Sequence, residues 1–183
     1  MRVIAGKYKS IKLNSVDGMN TRPTTDKIKE NLFNMLDCEG RVLDLFGGTG
    51  GLGIESLSRG ADYVTFIDGS NNAIKVIRSN IEKCRIPNSE YDIYRNDYKS
   101  ALKILGKKGE KFDLIFLDPP YDKGLINQAI SSILENDVCS DGCLIVCEKS
   151  VDEVVESKFE KLELVKEKKY GITNIIIFEY MEN

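Results

Sequence analysis

Apolar residues recur along this chain in two alternating rhythms. Short apolar runs bounded by turn residues predict strands at 41–46 (RVLDLF), 63–68 (YVTFID), 91–95 (YDIYR), 112–117 (FDLIFL) and 142–149 (GCLIVCEK). Between them the spacing turns helical. LGIESLSRGA over 52–61 ends at Gly60, the segment 70–84 carries Ile74, Ile77 and Ile81 on one stripe, and YKSALKIL spans 98–105. After the fourth strand, Ile126, Ala129, Ile130, Ile133 and Leu134 fall at i, i+3, i+4, i+7 and i+8, an amphipathic helix. Two more strand-like runs, LELVKEKKY and TNIIIFEY, close the chain with Gly171 between them. Strand alternating with helix predicts an α/β, doubly wound fold. Its seven-stranded sheet is mostly parallel and covered on both faces, and the closing strand–turn–strand supplies an antiparallel edge.

A small appendage precedes this core. Strand-like runs around Val3 to Ile4 and Ile11 to Leu13 read as a hairpin, and a loop passes Asp17, Gly18, Arg22 and Pro23. A helix follows with Ile28, Leu32, Phe33 and Leu36 inward. The chain therefore divides into an appendage, 1–37, and a core domain, 38–183. Charge separates the two. Residues 1–30 hold seven basic side chains against three acids, a balance of +4, whereas the whole chain is at −3, leaving −7 for the rest. Such a segment is either a solvated face or a surface for phosphates.

Composition narrows the chemistry. A chain of 183 residues, 42% apolar and 30% charged, suits one soluble domain with an ample core. No apolar run approaches the roughly 20 residues of a membrane span, and MRVIAGKYKS lacks a signal-peptide core, so a cytoplasmic protein is expected. The five cysteines include no C-x-x-C pair, which favours reduced thiols. Cys139, Cys143 and Cys147 would align on a helix, but SDGCLIVCEK reads as turn and strand, so no metal is expected there. Histidine is absent, which removes histidine bases and most zinc sites.

Acids and glycines mark the candidate site. DLFGGTGGLGIE, 44–55, follows the first core strand and opens its helix. Gly48, Gly50 and Gly53 satisfy G-x-G-x-x-G, and Asp68 ends the next strand twenty residues after Gly48, which alone would be a dinucleotide fingerprint. Asp44 pulls away from that reading. A carboxylate inside a strand is costly without a partner; it would repel a pyrophosphate and attract an ammonium or sulfonium. Asp97 follows the third strand and could accept from the exocyclic amine of an adenine. Acids after three successive strands describe a cationic nucleoside without phosphates, and S-adenosylmethionine is such a molecule. The fourth strand runs into DPPY, where Pro119 and Pro120 make a rigid corner with no backbone N–H, between Asp118 and Tyr121.

These motifs, in this order, resemble the class I amino-group methyltransferases. RVIAGKYKSIKL, RPTTDKIKENLFNML, LDLFGGTGGLGIESLSRGA, DPPY and KKYGITNIIIFEY together resemble the bacterial small-subunit (16S) rRNA guanine-N2 methyltransferase family over nearly the whole chain. The chain departs mildly from that family at Gly48, at Tyr98 and in the tail, which reads YGIT rather than YGDT. The resemblance implies a Rossmann-like fold and S-adenosyl-L-methionine as cofactor, held at Asp44, Phe46, Gly47, Gly48, Thr49, Gly50, Asp68, Asn96 and Asp97. It implies Asp118, Pro119, Pro120 and Tyr121 as the catalytic group. The Asp118 carboxylate and the Pro119 carbonyl would accept from the guanine amine, and Tyr121 would stack on the flipped base. The 16S rRNA within a small-subunit particle is the expected partner of a monomeric enzyme, without membrane or metal. Arg2, Lys7, Lys9, Lys12 and Arg22 are the expected RNA contacts.

Three other readings remain open on the residues alone. They are an adenine N6 methyltransferase on DNA or RNA, a nicotinamide (NAD) oxidoreductase, and an RNA-binding module that keeps the fold without turnover.

Overall fold

The computed structural model describes residues 1–17, 26–121 and 124–183. The elements are α1 (Asp26–Asn34), β1 (Arg41–Asp44), α2 (Gly51–Ser58), β2 (Tyr63–Asp68), α3 (Asn71–Cys84), β3 (Tyr91–Arg95), α4 (Tyr98–Lys107), β4 (Phe112–Leu117), α5 (Leu125–Glu135), β5 (Cys139–Ser150), β6 (Leu162–Tyr170) and β7 (Thr173–Tyr180). One sheet of seven strands is ordered β3-β2-β1-β4-β5-β7-β6. Strands β3 to β5 are parallel, while β7 runs antiparallel between β5 and β6. This is the doubly wound, Rossmann-like α/β sheet that the alternating pattern predicts.

Two apolar layers sandwich the sheet. On one face Val42, Val64, Phe66, Leu114, Phe116, Ile175 and Ile177 pack with Ile54, Leu57, Ile74 and Ile77 of α2 and α3. On the other, Leu43, Ile67, Ile115 and Ile145 pack with Leu102, Leu105, Ile126, Ile130 and Ile133 of α4 and α5. Alternation along each strand thus feeds both layers, as a parallel sheet requires.

The appendage is built into the first layer. Val3, Leu13, Leu32 and Phe33 share its core. The expected hairpin has one ladder bridge, Arg2 with Lys12. Its cross-strand bonds run from the Val3 N–H to the Ile11 carbonyl, the Ser10 N–H to the Val3 carbonyl and the Leu13 N–H to the Met1 carbonyl. The Ile4, Lys7 and Tyr8 N–H groups donate to α2. Leu32 and Phe33 are buried as expected; Ile28 and Leu36 are only half-buried, and Leu36 lies beyond the end of α1. Lys29 departs furthest from a basic surface. It is 1% exposed, and its ammonium donates to the Arg2 carbonyl. Gly18, Arg22 and Pro23 lie outside the described residues.

Candidate active site

The topology reverses between β1 and β4, whose pairing sets Asp44 opposite Phe116. The glycine loop after β1 and the diproline corner after β4 therefore flank the switch point, where open α/β sheets bind ligands.

The loop is held by its own acids. Gly48 and Gly50 stand at φ +58° and +80°, a left-handed region that glycine enters freely. The Gly48 N–H donates to Asp68 Oδ2 (2.9 Å) and the Ser70 N–H to Asp68 Oδ1 (2.8 Å), so one carboxylate ties the loop to the β2–α3 turn. The Gly47 N–H donates to the Ile67 carbonyl and the Gly50 N–H to that of Gly47. Gly53 lets α2 lie flush on the sheet, since a Cβ there would stand 2.3 Å from the Phe66 ring. Its N–H donates to Asp44 Oδ2 (3.2 Å). Asp44 Oδ1 is buried and accepts no hydrogen bond among the described residues. Burial pushes the Asp44 carboxyl up to about 7; the Gly53 N–H opposes this and the charge of Asp68 adds to it.

At the corner, Asp118 is half-buried, Pro119 buried, Pro120 exposed and Tyr121 half-buried. The Asp118 carboxyl is raised well above the usual range, first by burial, then by Glu148 and Asp44. Glu148, 5% exposed, lies on β5 one residue past Cys147, the partner of Leu117, and so ends up beside Asp118. It accepts from the Tyr121 hydroxyl (3.3 Å), which also lies 3.4 Å from Thr173 Oγ1. Burial first, and then the neighbouring acids, raise the Tyr121 phenol to about 12 despite the Thr173 contact. Asp68, Asp44, Asp118 and Glu148 thus stand at the C-terminal ends of β2, β1, β4 and β5.

Glu148 was not singled out from the sequence, although an acid closing an apolar run was the signal that marked the other three. Asp97, expected as an adenine acceptor, is also a helix cap. It is exposed, its Oδ1 caps α4 by accepting from the Ser100 N–H (2.9 Å), and that hydrogen bond lowers its carboxyl. Asn96 Oδ1 accepts from the Asp97 N–H (2.9 Å), while Phe46 packs on Tyr98 with ring centroids 5.4 Å apart. Arg2, Lys7, Lys9 and Lys12 are exposed, with Arg2 paired to Asp26 (3.1 Å). No group of three histidine, cysteine or acidic side chains placed to hold a metal occurs among the described residues.

The described site could hold a cationic nucleoside. The unpartnered Asp44 Oδ1, the glycine cradle and the fixed Asp68 carboxylate suit a positive ligand approached closely by backbone, and the acids disfavour a pyrophosphate. This sheet order, with glycine loop and acidic corner at its switch point, defines the class I methyltransferases. The chain belongs to the family described as conserved hypothetical protein 95, matched over residues 1–179, and with it to the ribosomal RNA small subunit methyltransferase D family. YlbH of Bacillus subtilis (strain 168) is 38% identical over 98% of each chain. Ribosomal RNA small subunit methyltransferase D of Haemophilus influenzae is 33% identical over 98% of this chain and 93% of that one. The solved structure of yhhF from Escherichia coli has a TM-score of 0.84 at 29% identity, covering 100% of this chain and 99% of that one.

Proposed function

We propose that the protein transfers a methyl group from S-adenosylmethionine to the exocyclic N2 amine of a guanine in small-subunit ribosomal RNA. The observation that carries this reading is the pairing of two acceptor sets across the switch point. One is Asp44 and Asp68 around a glycine loop; the other is Asp118 with a diproline that offers carbonyls and no N–H. The names of the full-length relatives support the RNA substrate.

When bound, S-adenosylmethionine supplies an electrophilic methyl on a sulfonium. Asp44 would stabilise that positive charge, and Asp68 would accept from the ribose hydroxyls. The loop from Phe46 to Gly50 and the segment Asn96–Asp97 would complete the cradle, with the Asp97 carboxylate, which caps α4, as the adenine acceptor. A guanine N2 amine is a weak nucleophile because its lone pair is delocalised into the ring. Hydrogen bonds from its N–H groups to Asp118 and to the Pro119 carbonyl localise that pair, and Tyr121 offers a ring face to the extruded base. The methylated nitrogen is strongly acidic. Asp118, whose proton affinity is raised by burial and by Glu148, would take its proton.

Calorimetry with S-adenosylmethionine and NAD tests the cofactor assignment. The wild type should bind the former and not the latter. Asp68→Ala should weaken binding by about 1.5–3 kcal/mol, the cost of losing hydrogen bonds to a charged acceptor. Binding of NAD alone, or an unchanged affinity in the variant, would contradict the assignment.

A further inference from the structure

The tip of the β6–β7 hairpin has no part in the chemistry above, yet the topology carries it to the same place. β5 runs parallel to β4, so its last residues lie at the sheet end that holds Asp118. β7 returns antiparallel, pairing Glu148 with Ile175 and Ser150 with Thr173, and β6 pairs Tyr170 with Thr173. Residues 170–173 therefore project beside the diproline corner, and Thr173 Oγ1 reaches to 3.4 Å from the Tyr121 hydroxyl. Three strand spacings separate β4 from β6, about 14 Å, the rise of roughly four stacked nucleotides.

The charge on this strand is uneven. Its outer half, Leu162 to Val165, has no lysine and leaves Leu164 and Val165 42% and 52% exposed. Its inner half carries Lys166, Lys168 and Lys169, all exposed, beside a single acid. Lysines that served only to block edge pairing would be needed where the exposed apolar residues are. Here they gather at the active-site end. That acid, Glu167, accepts from Asn174 Nδ2 (2.6 Å), and no salt bridge among the described residues engages the three lysines. Lys168 stands over the Tyr170 ring at 5.2 Å. Lys166 and Lys168 lie opposite Ile177 and Ile175, isoleucines of the layer that also holds Val3 and Leu13. Two of the three thus share a side of the sheet with the basic appendage.

We propose that this hairpin tip grips the backbone phosphates of the RNA strand next to the target guanine through Lys166, Lys168 and Lys169. The substrate is then held from both sides of the Asp118 corner. This inference rests on the rRNA methyltransferase reading. The test measures methyl transfer to small-subunit particles across a salt series, for wild type, the Lys166→Ala/Lys168→Ala/Lys169→Ala triple variant and its triple Lys→Arg counterpart. The alanine variant should raise KM for RNA at least tenfold and flatten the logarithmic salt slope by about 2 to 3, at 0.7 to 0.9 per contact. Its cofactor affinity and saturated rate should stay within twofold, and the arginine variant should behave as wild type. Wild-type activity with an unchanged KM and slope in the alanine variant would overturn the role of the hairpin alone. A wild-type enzyme that labels no small-subunit particle would overturn the underlying reading and the hairpin with it.

Discussion

Asp44 stands near 7 because burial removes water from its carboxylate, and the Gly53 N–H restores only part of what is lost. Two pH effects of opposite sign follow. The folded, ligand-free protein keeps this proton to a higher pH than the unfolded chain does. The stability it contributes is therefore complete below about 4 and is lost as pH rises through 7. A cationic ligand prefers the ionised form, so affinity for S-adenosylmethionine should rise with pH through 7 and then level. Asp44→Asn should abolish that rise and bind more weakly at pH 8, as calorimetry from pH 6 to 8 would register; a variant with the wild-type profile would remove Asp44 from the cofactor site. At this scale, Asp44, Asp68 and Asp118 could be picked out as candidates because each ends or interrupts an apolar run. Glu148 closes its own run in the same way, but its value depends on β5 lying beside β4, a long-range pairing that local pattern does not encode. Asp97 was read as a ligand acceptor; the cap it also makes for the helix starting at Tyr98 was not read from the sequence.

The elements that matter most to the site are joined by a polar seam. Asn80 of α3 is fully buried, and its Nδ2 donates both to the Thr49 carbonyl of the glycine loop (2.8 Å) and to the Asn14 carbonyl of the appendage (3.1 Å). Its Oδ1 accepts from the Asn14 N–H (2.7 Å). Glu55, also fully buried, takes the Ile4 N–H on both oxygens, and Ser58 bonds the segment Ala5 to Tyr8. Asn80→Ala leaves those backbone groups unpaired and should cost roughly 1–3 kcal/mol of stability. It should weaken cofactor binding as well, because Thr49 loses its anchor. Urea denaturation and calorimetry read the two effects; an unaltered cofactor affinity would show that the seam supports only the appendage. Every core element was legible from periodicity. The misplacements fall where tertiary contacts replace local ones or add to them. β5 begins at Cys139 and not at 142, because the Ser-Asp-Gly stretch forms an irregularity against β4 in place of a turn. The appendage keeps its hairpin bonds and adds bonds from Ile4, Lys7 and Tyr8 to α2. Lys29, counted as surface charge, is buried near Glu55, which offsets the lowering of its ammonium by burial.

On the scale of the whole molecule, an acidic core carries a basic appendage, and Lys7, Lys9 and Lys12 all face solvent. If they neutralise phosphates, Lys7→Ala/Lys9→Ala/Lys12→Ala should flatten the salt dependence of RNA binding by about 0.7 to 0.9 in logarithmic slope per contact, with cofactor affinity intact. Superimposable salt titrations would reduce the segment to a solvated face. The fold could be read from the strand and helix pattern, and the candidate cofactor residues could be named from loop and acid alone. The identity of the accepting amine could not, because an acceptor corner of carboxylate and carbonyl serves a guanine N2 and an adenine N6 equally. Transfer of a labelled methyl group to small-subunit particles, followed by digestion to nucleosides, separates them directly. The account predicts label in N2-methylguanosine, reduced roughly 100-fold or more in rate by Asp118→Ala with cofactor affinity nearly unchanged. Label in N6-methyladenosine, or none in RNA, would contradict it.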